Sequence, residues 1–278
     1  MNMDKKRGSD ITIIVNTCDK FEDCWDPFFT LFNKFWPNCK FPIILTTYNS
    51  KYSFRNLNIE CSQVGRYYSN EPAWSEILLF TLEKYIKTDI VLFLLDDFFI
   101  SNDVDEKTIT NCYNIMLDND YSNITLTNHD TKRISQPTDN PLISKIHQKS
   151  PYRITTSPSL WKTAALKRYL IPDENIWMFE KFGTRRSYKI NDSFYKVNQS
   201  AINVGFDEVI PYFQGKDDTG IVKGKWQIGI NGLFESVGIK VNYELRGFYK
   251  DPSYLLNKFY SAKKFIKHPK QLIRALFS

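Results

Sequence analysis

The sequence predicts an α/β fold, a sandwich in which a mostly parallel central sheet is flanked by helices. Short apolar runs rich in β-branched residues alternate with longer segments of helical periodicity. One run, IVLFLL at 90–95, is apolar on both faces, as a strand in the middle of a parallel sheet is. With 278 residues, of which 42% are hydrophobic and 15% aromatic, the chain can bury a substantial core.

The N-terminal third contains segments in the order β-α-β-β-α-β, which is typical of this fold class. Strands are predicted at 10–18, 41–49, 57–65 and 90–95, and helices at 26–36 and 72–87. The first helix is expected to start with Asp26 as its N-cap and Pro27 at its first helical position, and to end before Pro37. The second helix also has a proline at its start and an apolar stripe along one side.

Charge and cysteine content exclude several classes of protein. The net charge is +6, and residues 250–278 contain seven Lys or Arg and one acid, so the rest of the chain is balanced. A balanced body argues against a nucleic-acid groove across the domain. The five cysteines form no CxxC pair, which favours reduced thiols in a cytosol.

Apolar runs are far shorter than the roughly 18 residues of a bilayer span, and the polar start predicts no secretion signal.

Two adjacent aspartates, Asp96 and Asp97, follow directly after the apolar run at 90–95. Ligands bind at the carboxyl ends of strands in open α/β sheets, and paired carboxylates suit Mg²⁺ or Mn²⁺. Both carboxylates can reach one ion only if a turn starts at Asp96, because successive side chains on a strand point to opposite faces. The alternative is that they cap the following turn or pair with a lysine.

The segments IIVNTCDKFED, PIILTTYN, AWSEILL and VLFLLDDFFI resemble the nucleotide-sugar domain of GT-A-type glycosyltransferases, specifically bacterial enzymes of capsular, O-antigen or lipooligosaccharide synthesis. The resemblance continues through SPSLWKTAAL, ENIWMFEKFGTRRS and IVKGKW, and covers most of residues 10–245. It implies a GT-A-like single domain over residues 1–250, with a donor half at about 10–130 and an acceptor half at about 131–250. The adjacent acids depart from the usual Asp-X-Asp motif, and Asp97 is the favoured metal ligand and catalytic residue of the two.

The resemblance implies a nucleotide-sugar donor, with a UDP-sugar as the first expectation. Thr17 and Asp19 end the first predicted strand, where such enzymes hold the base and ribose, and Asp96 is expected beside the phosphates. The alternative for Asp19 is that it caps a loop. In the basic, glycine-punctuated segment GIVKGKW, Lys223 or Lys225 is expected to close over the diphosphate.

An acceptor hydroxyl needs a general base, because it stays protonated at neutral pH. Resemblance places the Trp-X-Phe-Glu stretch at 177–180 on the acceptor side, and Glu180 is the expected base of an inverting reaction. Residues 177–179 are expected to form an apolar wall beside it. Asp173 and Glu174 are the rival bases, and a solvated helix position is the alternative for Glu180.

Three further side chains are expected to bind the acceptor. Trp177 belongs to the stretch just described. Arg185, with Arg186 beside it, would answer a phosphate or an acidic sugar through bidentate contacts, or one of the two simply solvates the helix end. Trp226 would stack on a sugar ring, with a packing anchor as the alternative.

The C-terminal segment 251–278 predicts a basic amphipathic helical tail. From residue 252 onward, apolar side chains share one helical face and lysines occupy the rest, a pattern typical of a helix lying in a membrane interface. Packing against the domain or a partner subunit is the alternative. The expected location is the cytoplasm, peripheral on the inner face of the cytoplasmic membrane.

The expected function is transfer of a sugar from a nucleotide-sugar donor to a hydroxyl of a glycan, in particular a lipid-linked glycan. Two alternatives stay open. A sugar nucleotidyltransferase would need a glycine-rich phosphate loop after the first strand, where NTCDKFED has no glycine. A non-catalytic glycan-binding or scaffold protein on the same fold would use the aromatic residues equally well.

Overall fold

A computed structural model of the chain describes residues 10–127, 132–215 and 219–250. Its strands are β1 (Ile11–Asn16), β2 (Ile43–Leu45), β3 (Ile59–Cys61), β4 (Ile90–Leu95), β5 (Asn123–Thr125), β6 (Ser135–Pro137), β7 (Ile143–Ile146), β8 (Ser159–Lys162), β9 (Phe194–Val197), β10 (Ile221–Val222) and β11 (Lys225–Trp226). Its α-helices are α1 (Glu22–Phe35), α2 (Trp74–Lys84), α3 (Glu106–Asn119), α4 (Thr163–Tyr169), α5 (Ile176–Ser187) and α6 (Ile230–Ser236). The prediction of an α/β fold with a central sheet flanked by helices is confirmed.

One large sheet takes strands from both halves of the chain, in the order β3-β2-β1-β4-β8-β5-β9-β7-β6. Its first four strands are all parallel, with β1 between β2 and β4. Strand β8 then pairs antiparallel with β4. The carboxyl ends of β1, β2 and β4 therefore meet at one edge of the sheet.

Side chains that alternate along β4 enter two different cores. Leu92 packs in the cluster with the apolar residues of α1 and α3, whereas Phe93 packs in the cluster with those of α2, α4 and α5. Both side chains are almost fully buried, at 0% and 2% exposure. The run IVLFLL is apolar on both faces because helices cover both sides of this strand.

The predicted elements of the first hundred residues are present, with one correction. Helix α1 begins at Glu22 and not at Pro27, which lies inside the helix. A 3-10 turn at Asp19–Phe21 leads directly into α1, so Pro27 lies in the second turn of the helix, where it donates no backbone hydrogen bond. Asp26 is no N-cap; its Oδ1 accepts a hydrogen bond from the Tyr52 hydroxyl at 2.7 Å.

Within the described ranges, no helix is both long enough and apolar enough to cross a membrane. The predicted tail at 251–278 lies outside the described residues, so its amphipathic helix stays a prediction.

Candidate active site

A turn at the end of β4 carries the two adjacent aspartates. The backbone N–H of Phe98 donates to the carbonyl of Leu95 at 3.3 Å, which places Asp96 and Asp97 at the two central positions of the turn. A turn that starts at Asp96 is the geometry in which both carboxylates can face one ion. They lie at the carboxyl edge of the parallel strands.

Asp96 is held by the end of β1. The Thr17 hydroxyl donates to Asp96 Oδ2, and the Trp25 indole N–H donates to Thr17 Oγ1 at 2.8 Å. Burial, and then the charge of Asp97, raise the pKa of Asp96 well above its usual range, while the Thr17 hydrogen bond and the Arg246 cation oppose this. Thr17 is only 8% exposed, which leaves little of its surface for a donor. Its side chain acts mainly by positioning Asp96.

Asp97 has one satisfied and one unsatisfied oxygen. The Thr219 hydroxyl donates to Oδ2 at 2.7 Å. Oδ1 is buried and has no hydrogen-bond partner among the described residues. Burial raises the pKa of Asp97 to about 6, against the Thr219 hydrogen bond. A buried carboxylate oxygen without a partner is costly, and a bound cation would remove that cost.

These two carboxylates fit a hard divalent cation in their chemistry and in their unmet electrostatic need. In the part of the chain that the structure describes, no group of three or more His, Cys, Asp or Glu side chains could hold a metal ion, either at the aspartate turn or elsewhere. Asp96 and Asp97 would therefore supply two ligands, and the remaining ligands would come from phosphate oxygens and water.

The segment GIVKGKW forms a hairpin of β10 and β11 that packs against the aspartate turn. Its two loop residues, Lys223 and Gly224, both have positive φ, at 52° and 77°, as a two-residue type I′ turn requires. The N–H of Gly220 donates to the Asp97 carbonyl at 2.9 Å. A Cβ at Gly220 would lie 2.2 Å from the Phe99 ring, so this close approach needs glycine.

The predicted site residues of this hairpin divide into exposed and buried ones. Lys223 and Lys225 are exposed, and Lys223 Nζ lies 3.3 Å from the Tyr249 hydroxyl. Trp226 is 0% exposed and packs edge-on against Phe234 at 5.6 Å between ring centroids. Because its ring presents no surface to a sugar, the expected acceptor contact of Trp226 is corrected: it is a packing anchor.

Arg246, which is not among the site residues predicted from the sequence, connects the hairpin to the start of α1. Its guanidinium forms a bidentate ion pair with Asp23, with Nε 2.7 Å from Oδ2. The same group donates to the carbonyls of Lys20 at 2.9 Å and Gly224 at 3.3 Å. Arg246 and Asp23 are 223 positions apart, and no local pattern in the sequence connects them.

Asp19 organises the loop that follows β2. Its carboxylate accepts the backbone N–H groups of Tyr48 and Asn49 at 2.7 Å each, and that of Ser50 at 3.0 Å. The alternative of a loop cap therefore describes what Asp19 does in this structure. Both oxygens of the Asp19 carboxylate already accept backbone hydrogen bonds from this loop, so a ribose bound at Asp19 would also lie beside the loop.

Glu180 lies at the same edge of the sheet as the aspartates. Its Oε1 accepts hydrogen bonds from the backbone N–H and the hydroxyl of Thr156, each at 2.8 Å. In the antiparallel pair of β4 and β8, Ser159 lies opposite Phe93. The residues just before Ser159, including Thr156, therefore lie toward the Asp96 end of β4.

A second set of contacts connects α5 with the end of β1. The Trp74 indole N–H donates to Asn16 Oδ1 at 2.6 Å, and its ring packs against Phe179 at 5.3 Å between centroids. The backbone N–H of Ser75 also donates to the carbonyl of Glu174 at 3.1 Å. The first turns of α2 and α5 thus meet beside the carboxyl edge.

The rival base Glu174 is part of a buried ion pair. It is 3% exposed and accepts two hydrogen bonds from Arg186, at 2.6 and 2.8 Å. Arg186 also donates to the carbonyl of Tyr169 at 2.8 Å. Glu174 and Arg186 are paired with each other and hold α5 in place, so neither charged group is available to a substrate. The other rival, Asp173, is exposed and has a φ of 67°.

The expected apolar wall beside Glu180 is divided between two environments. Met178 and Phe179 are buried at 3% and 1% exposure, whereas Trp177 is 56% exposed. Arg185 is also exposed. Successive residues of a helix point about 100° apart, so the three side chains cannot form one surface. Trp177 and Arg185 both face solvent on α5.

Comparisons with known proteins give only distant structural similarities. No protein-family model matches the chain. No curated protein matches it. Among solved structures, it is similar to residues 1–349 of TarS from S. aureus, with 17% identity and a TM-score of 0.44 over 68% of this chain and 60% of that one. The same TarS fragment in complex with UDP-GlcNAc matches with 17% identity and a TM-score of 0.44 over 67% and 58%.

A mycobacterial protein is similar at 12% identity and a TM-score of 0.44, over 84% of this chain and 77% of that one. The chain thus spans 60% or less of the length of the TarS structures that it matches.

Proposed function

We propose that this protein is a nucleotide-sugar-dependent glycosyltransferase that transfers a sugar to a hydroxyl group of a glycan. The observation that carries the proposal is the position of the Asp96–Asp97 turn and Glu180 at one edge of the sheet. This is the carboxyl edge of parallel strands, where open α/β sheets bind their ligands. A pair of carboxylates suited to a cation and a separate carboxylate suited to a proton are the two requirements of the reaction.

On the donor side, Asp97 and Asp96 would hold Mg²⁺ or Mn²⁺ together with the diphosphate of the donor. The ion, when bound, would stabilise the negative charge that develops on the leaving diphosphate. Lys223 and Lys225 project from the hairpin that packs on Asp97, where a second source of positive charge is useful. The loop that Asp19 holds follows β2 at the same edge, and we place the base and ribose of the donor beside its backbone. A UDP-sugar is the first donor to test.

On the acceptor side, Glu180 accepts the proton of the attacking hydroxyl. Thr156 holds one oxygen of this carboxylate and so fixes its orientation. We place the attack on the face of the sugar opposite the leaving diphosphate, which makes the reaction inverting. Trp177 and Arg185 lie on the exposed side of the same helix and would contact the acceptor.

We further propose that the enzyme acts in the synthesis of a bacterial surface polysaccharide at a membrane. The sequence resemblance supports a bacterial enzyme that extends a lipid-linked glycan during surface polysaccharide synthesis. The amphipathic pattern of residues 252–278 supports attachment to the inner face of the cytoplasmic membrane. Deletion of this segment is expected to leave donor binding intact and to abolish pelleting with liposomes; unchanged pelleting would remove the membrane part of the proposal.

Calorimetric titration tests the donor site. UDP, GDP and CMP are each titrated with and without Mn²⁺ into the wild type, Asp97→Asn and the control Asp103→Asn, whose side chain is exposed a few residues further on. We expect binding of one nucleotide that depends on Mn²⁺, is lost in Asp97→Asn and is kept in Asp103→Asn. If no nucleotide binds under any condition, the proposal is wrong and the non-catalytic glycan-binding alternative takes its place.

A further inference from the structure

One face of α5 presents an aromatic ring followed by cations. Trp177, Lys181 and Arg185, here called the α5 stripe, recur at every fourth residue and are all exposed. At a rise of about 1.5 Å per residue, neighbouring members are about 6 Å apart along the helix axis. Lys189 is exposed in the turn that follows α5. The stripe is therefore a narrow strip of positive charge that starts at an indole ring.

The two cations of the stripe lie close enough to disfavour each other. Partial burial, and then the charge of Arg185, lower the pKa of Lys181. Within the ranges that the structure describes, Arg185 forms no ion pair, although the next residue, Arg186, forms one with Glu174. Like charges one helical turn apart repel each other. An anion bound between Lys181 and Arg185 would attract both cations and offset this repulsion.

The position of the stripe relates it to the proposed base. Glu180 lies between Trp177 and Lys181 in the chain, and its carboxylate is held at the carboxyl edge by Thr156. Trp177 is the member on the first turn of α5, the turn that meets α2 and the end of β1. From there the stripe leads along α5, away from its N-terminal end.

We propose that the α5 stripe binds the acceptor glycan beyond the residue that reacts, and that this part of the acceptor carries anionic groups. This inference rests on the proposed function and specifies its acceptor class. The indole ring of Trp177 is suited to the face of a sugar ring. Arg185 is suited to a bidentate contact with a carboxylate or a phosphate, and Lys181 to a single contact with the same kind of group.

Binding of model oligoanions tests this proposal. Oligogalacturonate supplies carboxylates on a sugar chain, short-chain polyphosphate supplies phosphates, and dextran is the neutral control. Each is titrated calorimetrically at low and at high salt into the wild type and the double variant Lys181→Gln/Arg185→Gln. A matched double variant, Lys40→Gln/Lys87→Gln, removes the same charge from exposed positions before β2 and β4, at the opposite edge of the sheet.

We expect the wild type to bind at least one oligoanion and not dextran, with an affinity that falls as salt rises. Loss of the two stripe cations should weaken binding about tenfold or more, whereas the matched variant should stay within about twofold. Equal weakening in both double variants would overturn the proposal. Binding of dextran as tight as that of the oligoanions would also overturn it.

Titration of UDP with Mn²⁺ into the same variants separates this inference from the proposed function. Nucleotide binding should be unchanged in Lys181→Gln/Arg185→Gln, because the stripe lies outside the donor site. Absence of nucleotide binding in the wild type would defeat the proposed function. Absence of oligoanion binding beside normal nucleotide binding would defeat only the anionic acceptor.

Discussion

Thr156 donates two hydrogen bonds to the same oxygen of Glu180, one from its backbone N–H and one from its hydroxyl, each at 2.8 Å. The segment that carries Thr156 leads into β8, which pairs with β4. The sheet thereby controls the direction of a carboxylate that belongs to a helix. A general base needs such control, because proton transfer requires hydrogen-bond distance to the reacting hydroxyl.

Replacement of Glu180 by glutamine keeps the size of the side chain and removes its ability to accept a proton. We expect Glu180→Gln to lower kcat by a factor on the order of 10² to 10⁴ and to leave nucleotide affinity unchanged. Thr156→Val removes only the hydroxyl contact and should cost about tenfold in kcat. Steady-state kinetics together with nucleotide titration measure both effects; a Glu180→Gln enzyme with wild-type kcat would exclude Glu180 as the base.

Substitution of Glu174 should lower the stability of the protein, whereas substitution of Glu180 should lower its activity. Glu174→Gln leaves the buried guanidinium of Arg186 without its counter-charge, and we expect a loss of about 3 to 5 kcal/mol in the free energy of unfolding. The double variant Glu174→Leu/Arg186→Met should recover much of that loss, because no charge then stays buried. Urea unfolding gives these values, with Glu180→Gln as the control that should change by less than about 1 kcal/mol.

Asp97 should be a source of instability in the metal-free protein. Its pKa is raised to about 6, so the folded state disfavours the charged form of this acid. The penalty is fully present above pH 6 and is relieved as the pH falls through 6 toward the ordinary value near 4. In the presence of a chelator, Asp97→Asn should therefore raise the free energy of unfolding at pH 7.5 by on the order of 2 kcal/mol, and by less at pH 5.

Urea unfolding at the two pH values tests this expectation. If Asp97→Asn is less stable than the wild type at pH 7.5, the prediction is wrong, and the Asp97 carboxylate is already compensated without a metal ion.

Gly220 should be required for the contact between the hairpin and the aspartate turn. In Gly220→Ala the new Cβ would overlap the Phe99 ring at 2.2 Å and approach the Asp97 carbonyl at 3.3 Å. We expect a loss of about 1 to 3 kcal/mol in stability together with weaker Mn²⁺-dependent nucleotide binding. Gly232→Ala is the matched control, because a Cβ there meets nothing within 4 Å and α6 gains a better helix former. Equal effects of the two substitutions would contradict this account.

Much of the N-terminal half could be predicted from local patterns. Strand β4 has the predicted limits, because six successive apolar residues followed by two acids leave little choice of where a buried strand ends. The start of α1 could not be predicted from Asp26 and Pro27, because the 3-10 turn before it adds residues that the proline rule does not consider. Local signals are reliable where one physical effect dominates and fail where two compete.

The amino-acid order by itself establishes the α/β class and the buried strand that ends just before Asp96 and Asp97. These follow from the period of apolar residues and from the cost of burying charge, which act over a few neighbouring positions. Only the tertiary structure separates Glu180 from Glu174, buries Trp226, and brings Arg246 to Asp23 across 223 positions. Their roles depend on hydrogen bonds and packing between segments far apart in the chain, which no local pattern specifies.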